Sequence, residues 1–269
     1  MTTATLPSTF GIGASRGGVE VKQFFRQKEQ VVFTFTFPAI ILVLLGSIFD
    51  GAFPEGVTAG QLFAASMIAA GIVATSFLNL GISVALDRED GTLKRLRGTP
   101  MPAPSYFLGK MVLVAVASIA EVVLLLVVGM AMFGLKLPTG VAPWFTFAWV
   151  FVLSIIACSL LGIAISSVAK SAQSAGAVTN VPYIVLQFMS GVYIPISQVP
   201  EWMRTVGALF PIKWAAQGFR SVFLPDSMMT QEAAGSWELG KTALVLGAWC
   251  VLGLVLCLVT FRWTNKRGG

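Results

Sequence analysis

Six stretches of this chain are each about twenty or more residues long and mostly apolar, and that repeated length restricts the fold more than any other feature. They fall at about 31–49, 62–86, 108–134, 144–168, 176–195 and 241–261. A helix needs roughly 20 mostly apolar residues to cross the hydrocarbon of a bilayer. Lipid offers no hydrogen-bond partner to an open backbone, so helices are the natural form for such segments. The expected fold is therefore an all-α membrane protein with six transmembrane helices, forming one transmembrane domain over 1–269. Turn residues punctuate the connections: Asp50 and Gly51, Pro54, the run of Pro100, Pro102 and Pro104, then Pro138, Gly140 and Pro143, and Lys170 with Ser171.

Composition agrees. Hydrophobic residues make up 56% of the 269 and charged residues 11%, against about 25% charge in a soluble domain. Spans and short connections consume nearly the whole length, leaving no room for a soluble catalytic domain. No histidine is present, which removes the commonest general base and metal ligand. Cys158, Cys250 and Cys257 sit inside apolar runs without metal-ligand spacing, and they read as small hydrophobes. Residues 1–15 lack the apolar core of a cleavable signal peptide.

The net charge of +6 is a topology signal rather than a nucleic-acid footprint. Thirteen Lys and Arg fall on the side formed by the N-terminus, the second and fourth connections and the C-terminus; five fall on the other. Basic residues favour the cytoplasmic side, so both termini are expected there, in a multi-pass protein of the cell's inner (plasma) membrane. Six is the even number of spans that this orientation requires. Ahead of the first span, Val21, Phe24 and Phe25 recur at helical spacing, with Glu20, Lys22, Gln23, Arg26 and Gln27 on the other face. An N-terminal interfacial helix over 17–30, lying among membrane lipids, is the expectation.

One dense charge cluster stands out, at 87–100: Asp-Arg-Glu-Asp-Gly-Thr-Leu-Lys-Arg-Leu-Arg-Gly-Thr-Pro. Gly91 should interrupt the second helix, Thr92 should cap a new short one, and Pro100 should end it. Leu93 and Leu96 would share its face as an apolar knob with Lys94, Arg95 and Arg97 around it. Such a helix could dock in a groove of a soluble partner, or it could be a solvated loop that only enforces topology.

This cluster resembles the E-R-E-x-G-T-L-x-x-L-x-x-T-P signature of type-2 ABC exporter permeases, the ABC-2 family of daunorubicin-resistance type. The match is carried by Arg88, Glu89, Gly91, Thr92, Leu93, Leu96, Thr99 and Pro100. Asp87 stands where the signature has Glu, and Lys94 where it has an acidic residue. The resemblance extends to the six-span topology and the long loop before the last span. It implies that the cluster, Arg97 included, is the coupling element for a separate cytosolic ATP-binding-cassette subunit. ATP and Mg²⁺ would be bound by that subunit, with no cofactor on this chain. A second permease copy or paralogue would complete a dimer, and drugs, antibiotics or glycolipids would be exported.

The segment 192–240 is aromatic, proline-rich and too broken to span. It is expected to form re-entrant or interfacial helices on the outer side. By the same resemblance Pro195, Trp202, Phe210 and Pro211 are candidates for an outer gate; the plainer reading is a belt of interfacial anchors. Gly235 to Thr242 spells G-x-x-x-x-G-K-T, the phosphate-cradling pattern. It abuts a span and lacks the preceding strand, so a nucleotide loop is rejected and Lys241 is read as snorkelling to the interface.

Within the spans, Gly176, Asn180, Tyr183, Gln187 and Ser190 form one stripe, and Ser76, Asn79 and Ser83 another. Such stripes either join helices by hydrogen bonds or line a path. The resembled family places its path among the first, second and fifth spans, where Phe33 and Phe37 add aromatic surface. Pro38 should loosen the first span near Thr34, and Pro182 should bend the fifth. Glu121 is the one acidic residue deep in a span, a functional candidate by position. It could recognise cations, couple protons or stay protonated as a structural donor. The competing function classes are a membrane enzyme and a secondary transporter that uses Glu121. The first should show converging acids, His or Cys, and the second internal repeats; neither signal is visible.

Overall fold

The computed structural model describes residues 8–49, 53–169 and 171–261, which are helical with no strand among them. Asp50, Gly51, Lys170, Arg262, Lys266 and Arg267, which carry part of the punctuation and of the charge count, lie outside the described residues. Helix α1 (Thr9–Arg26) is followed by α2 (Lys28–Ile48) and α3 (Ala59–Val73). A π-helical turn, Ala74–Asn79, joins α3 to α4 (Leu80–Glu89), and α5 (Thr92–Arg97) follows at once. Next come α6 (Ala103–Phe133), α7 (Val141–Ser166), α8 (Ala172–Met189), α9 (Glu201–Gly207), α10 (Pro211–Phe223) and α11 (Leu239–Thr260).

Five of these are long and apolar enough to cross a membrane: α2, the continuous Ala59–Glu89 helix, α6, α7 and α11. The fifth expected span appears as α8, 18 residues long. It falls outside that set because its stripe of Gln, Ser, Thr and Asn dilutes its hydropathy.

Helix α3 is the axis of the bundle, and every residue from Leu62 to Val73 is buried. A reciprocal capping box starts it: Thr58 Oγ1 accepts from Gln61 N–H at 3.3 Å while Gln61 Oε1 accepts from Thr58 N–H at 3.2 Å. Helices α2, α6 and α10 pack around it. The 192–240 segment forms short helices, and one of them enters the bundle. In α10 every residue from Pro211 to Arg220 is buried, against α3 and α7. There Arg220 donates Nε and Nη2 to Glu232 Oε1 and Oε2 at 2.6 and 3.0 Å, and Nη1 to Ser66 Oγ of α3 at 3.3 Å. Lys213, also on α10, lies 3.7 Å from Glu238, yet burial outweighs that pull and pushes its ammonium down to about 8.

The N-terminal helix departs from expectation in both extent and facing. It begins at Thr9, where Ser8 Oγ caps Gly11 N–H at 3.1 Å, and ends at Arg26 rather than spanning 17–30. Its buried face is Gly13, Gly17, Glu20 and Phe24, one stripe at heptad spacing laid along α6. A Cβ at Gly13 or Gly17 would sit 2.7 or 2.6 Å from Leu108 or Val112 Cβ, so small residues set how closely the two helices approach. Glu20, assigned to the water face from sequence, is instead turned inward; Phe25 is exposed and Val21 half-buried.

Candidate functional site

Three elements converge on a cavity of about 640 Å³. Helix α2 contributes Phe33, Thr34, Phe37 and Pro38; the π turn contributes Asn79; α8 contributes Asn180 and Tyr183. Phe33 and Phe37 stack, ring centroids 5.5 Å apart, and are 69% and 40% exposed, so the cavity opens along the uncovered face of α2. Pro38 leaves the Thr34 carbonyl without its backbone donor, while the Thr34 hydroxyl accepts from Asn79 Nδ2 at 3.2 Å. Asn180 Nδ2 bonds back to Gly176 O at 2.9 Å, and Tyr183 OH donates to Ala70 O of α3 at 3.4 Å.

The structure thus brings together five of the residues proposed from sequence for a path: Phe33, Phe37, Asn79, Asn180 and Tyr183. Ser76, Gln187 and Glu121 do not line the cavity. Ser76 Oγ is turned back to Ile72 O, and Gln187 is fully buried. Glu121 is also fully buried, with neither carboxyl oxygen hydrogen-bonded among the described residues, and lies against Gly71. A Cβ on Gly71 would come within 2.6 Å of that carboxyl group. The outer-gate candidates do not converge either. Trp202 is 65% exposed on α9, Pro195 is buried near Arg220, Phe210 stacks on Trp249, and Pro211 opens α10.

The charge cluster forms a tight corner between α4 and α5. Gly91 takes the left-handed conformation, φ 77°, which glycine alone adopts without penalty. Thr92 is the first residue of α5 rather than its cap: its N–H is bound by Asp90 Oδ1 at 2.8 Å. The expected apolar knob is only half present. Leu93 is fully buried and Leu96 half-buried, so α5 turns its leucines toward the bundle and shows Lys94, Arg95 and Arg97 outward. Arg88 also points inward, its Nη1 donating to Ser166 O of α7 at 2.8 Å. Glu89, Thr99 and Pro100 are exposed.

Sequence reasoning missed the buried charge lattice that fastens this corner. Lys110 Nζ of α6 lies 2.9 Å from Glu20 Oε2 and 2.8 Å from Asp87 Oδ2, and donates to Ser83 Oγ at 2.9 Å. Arg16 pairs with Glu20 at 2.8 Å, and Tyr106 OH donates to Asp87 at 2.7 Å. The signal was available: Lys110 stands two turns inside an apolar helix, where a lysine needs a partner.

The family model described as ABC-2 type transporter matches residues 19–224, from α1 through α10. The chain belongs to the ABC-2 type transporter family. This ABC-2 protein is 24% identical over 158 residues to the Escherichia coli protein named "Probable multidrug ABC transporter permease YbhR", covering 59% of the chain and 42% of that relative. It is 21% identical over 192 residues to the Bacillus subtilis "Putative transport permease YvfS", covering 71% and 77%. The Porphyra purpurea "Putative transport permease ycf38" is 25% identical over 193 residues, covering 69% and 65%. The chain spans about two fifths of the length of the first of these relatives. Membership of this family and five helices long and apolar enough to cross a membrane agree on a multi-pass membrane protein.

Proposed function

We propose that this ABC-2 chain is the permease subunit of an ATP-driven exporter, and that the cavity among α2, the π turn and α8 is its substrate path. The observation that carries this reading is the meeting of Phe33, Phe37, Asn79, Asn180 and Tyr183 on one cavity from three separate elements. Its lining is apolar with a few polar groups, the form of a site for drug-like or lipid-like molecules, and one relative is named for multidrug transport. The open face of α2 suits a second permease copy, which would close the cavity. A cytosolic ATP-binding-cassette subunit carries the ATP and Mg²⁺, docking on the α4–α5 corner through Lys94, Arg95, Arg97 and Glu89. Both termini lie on that cytoplasmic side of the inner membrane. Force on α5 passes inward through Leu93, Arg88 and the Lys110 lattice.

Co-purification tests the assignment. Arg97→Glu, exposed and outside the core, should weaken association with the ATPase by about tenfold, as a reversed charge at an interface does. Transport and association both intact in that variant and in Lys94→Glu would remove the corner from the coupling role.

A further inference from the structure

A second cavity, about 340 Å³, lies between α1, α4 and α6 and shares one wall residue, Asn79, with the first. The two differ in chemistry. The larger is walled by Phe, Ile and Leu. The smaller carries Gln23, Gln27, Gln30, Thr75 and Ser83 beside the lattice of Glu20, Asp87 and Lys110. The ionised groups there are already saturated by one another, with Lys110 held by both carboxylates and Arg16 on Glu20. A charged ligand would have to break those pairs, which is costly for buried ions. The amides of Gln23, Gln27 and Gln30 bridge the α1–α2 junction at steps of four and three residues. Gln23 and Gln27 are exposed and Gln30 half-buried, and among the described residues no hydrogen bond engages their side chains. They are donors and acceptors without an internal task.

We propose that the two cavities together hold one amphiphile. Its tail lies in the larger cavity, and an uncharged headgroup rich in hydroxyls or amides lies among Gln23, Gln27, Gln30 and Ser83. The Thr34–Asn79 hydrogen bond is the partition between them. Substrate choice is then set by hydrogen-bond count in the headgroup and not by its charge. This assignment rests on the larger cavity being the substrate path.

The test uses the purified full chain in lipid nanodiscs and three probes with the same fluorescent dodecyl tail. Their headgroups are a glucoside, a trimethylammonium and a sulfate. The glucoside should bind about tenfold tighter than either ionic probe, the worth of two or three net hydrogen bonds. Gln27→Leu, an exposed position, should bring the three within about threefold of one another, with melting temperature unchanged. Phe37→Ala should weaken all three alike. An ionic probe binding as tightly as the glucoside would overturn the proposal, as would a glucoside preference that survives both Gln27→Leu and Gln23→Leu. Export assays in proteoliposomes with the ATPase separate the two ideas. Equal export of all three probes sinks headgroup selection and leaves the exporter standing. A glucoside preference in binding with no ATP-driven movement does the reverse.

Discussion

Helices α2 and α3 are packed neighbours, both strongly apolar, and they occupy opposite environments. In α3 almost every side chain is enclosed by protein; in α2 the buried residues are Thr34, Pro38 and Leu42, one stripe at four-residue steps. Val32, Phe33, Phe37, Ile40, Leu44 and Ile48 of α2 are exposed. Hydropathy reports that a segment avoids water, and it is blind to whether lipid, another helix or a ligand replaces the water. The difference lies in residue size. Helix α3 is rich in Ala and Gly, which let three helices approach, whereas α2 carries Phe, Ile and Leu, which fill lipid or a binding surface.

If α3 is the rigid axis, the largest loss of stability should come from cutting its fastening to α10. Arg220→Ala leaves Glu232 buried and unpaired and should cost about 3–5 kcal/mol, read as a fall in melting temperature in detergent. The double replacement with Glu232→Leu should recover most of it. Gly162→Val comes next: a Cβ there would lie 2.5 Å from the Phe77 carbonyl of the π turn, and overpacking of this kind costs about 1–3 kcal/mol.

Glu121 tests whether the axis is structural throughout. Its carboxyl group lacks partners, so Glu121→Leu should hold or raise stability by about 1 kcal/mol and leave export unchanged. Abolished export would make Glu121 functional and revive a proton-coupled mechanism. On the α2 side, Phe33→Ala should shift stability by under about 0.5 kcal/mol while reducing export severalfold. A large stability change there would dissolve the contrast between the two helices.

The smallest effect concerns the backing helix α10. The Lys213 ammonium is held down to about 8 by burial, below the usual lysine value of about 10.4. Its burial penalty is therefore full below pH 8 and relieved as the pH rises toward 10. A modest gain in melting temperature across that window should vanish in Lys213→Met.

Much of the helix plan was legible because span length is a one-dimensional signal. The expected 108–134 and 144–168 correspond to Ala103–Phe133 and Val141–Ser166, and the break at Gly91 was visible in residue type. What depends on facing was not legible. Glu20 looks like a surface residue of an amphipathic helix until Lys110, 90 positions away, lies against it. Gly13 and Gly17 carry no hydrophobic weight, so the true buried stripe of α1 was hidden in a Gly- and Ser-rich segment. The polar stripe of α8 is legible in the spacing of its residues, yet only packing shows that Asn180 and Tyr183 reach the cavity while Gln187 does not.

The π turn at Ala74–Asn79 has one further consequence. Wider hydrogen-bond closure stores one surplus residue in the helix. Tightening that turn to α geometry would rotate everything beyond it by about 100° and advance it by about 1.5 Å. Asn79, the last residue of the turn, stands in the cavity wall, and Arg88, at the α4–α5 corner, lies on the arm just beyond it. A crank of this kind would let a push on α5 swing a polar side chain out of the cavity wall while α3 stays still.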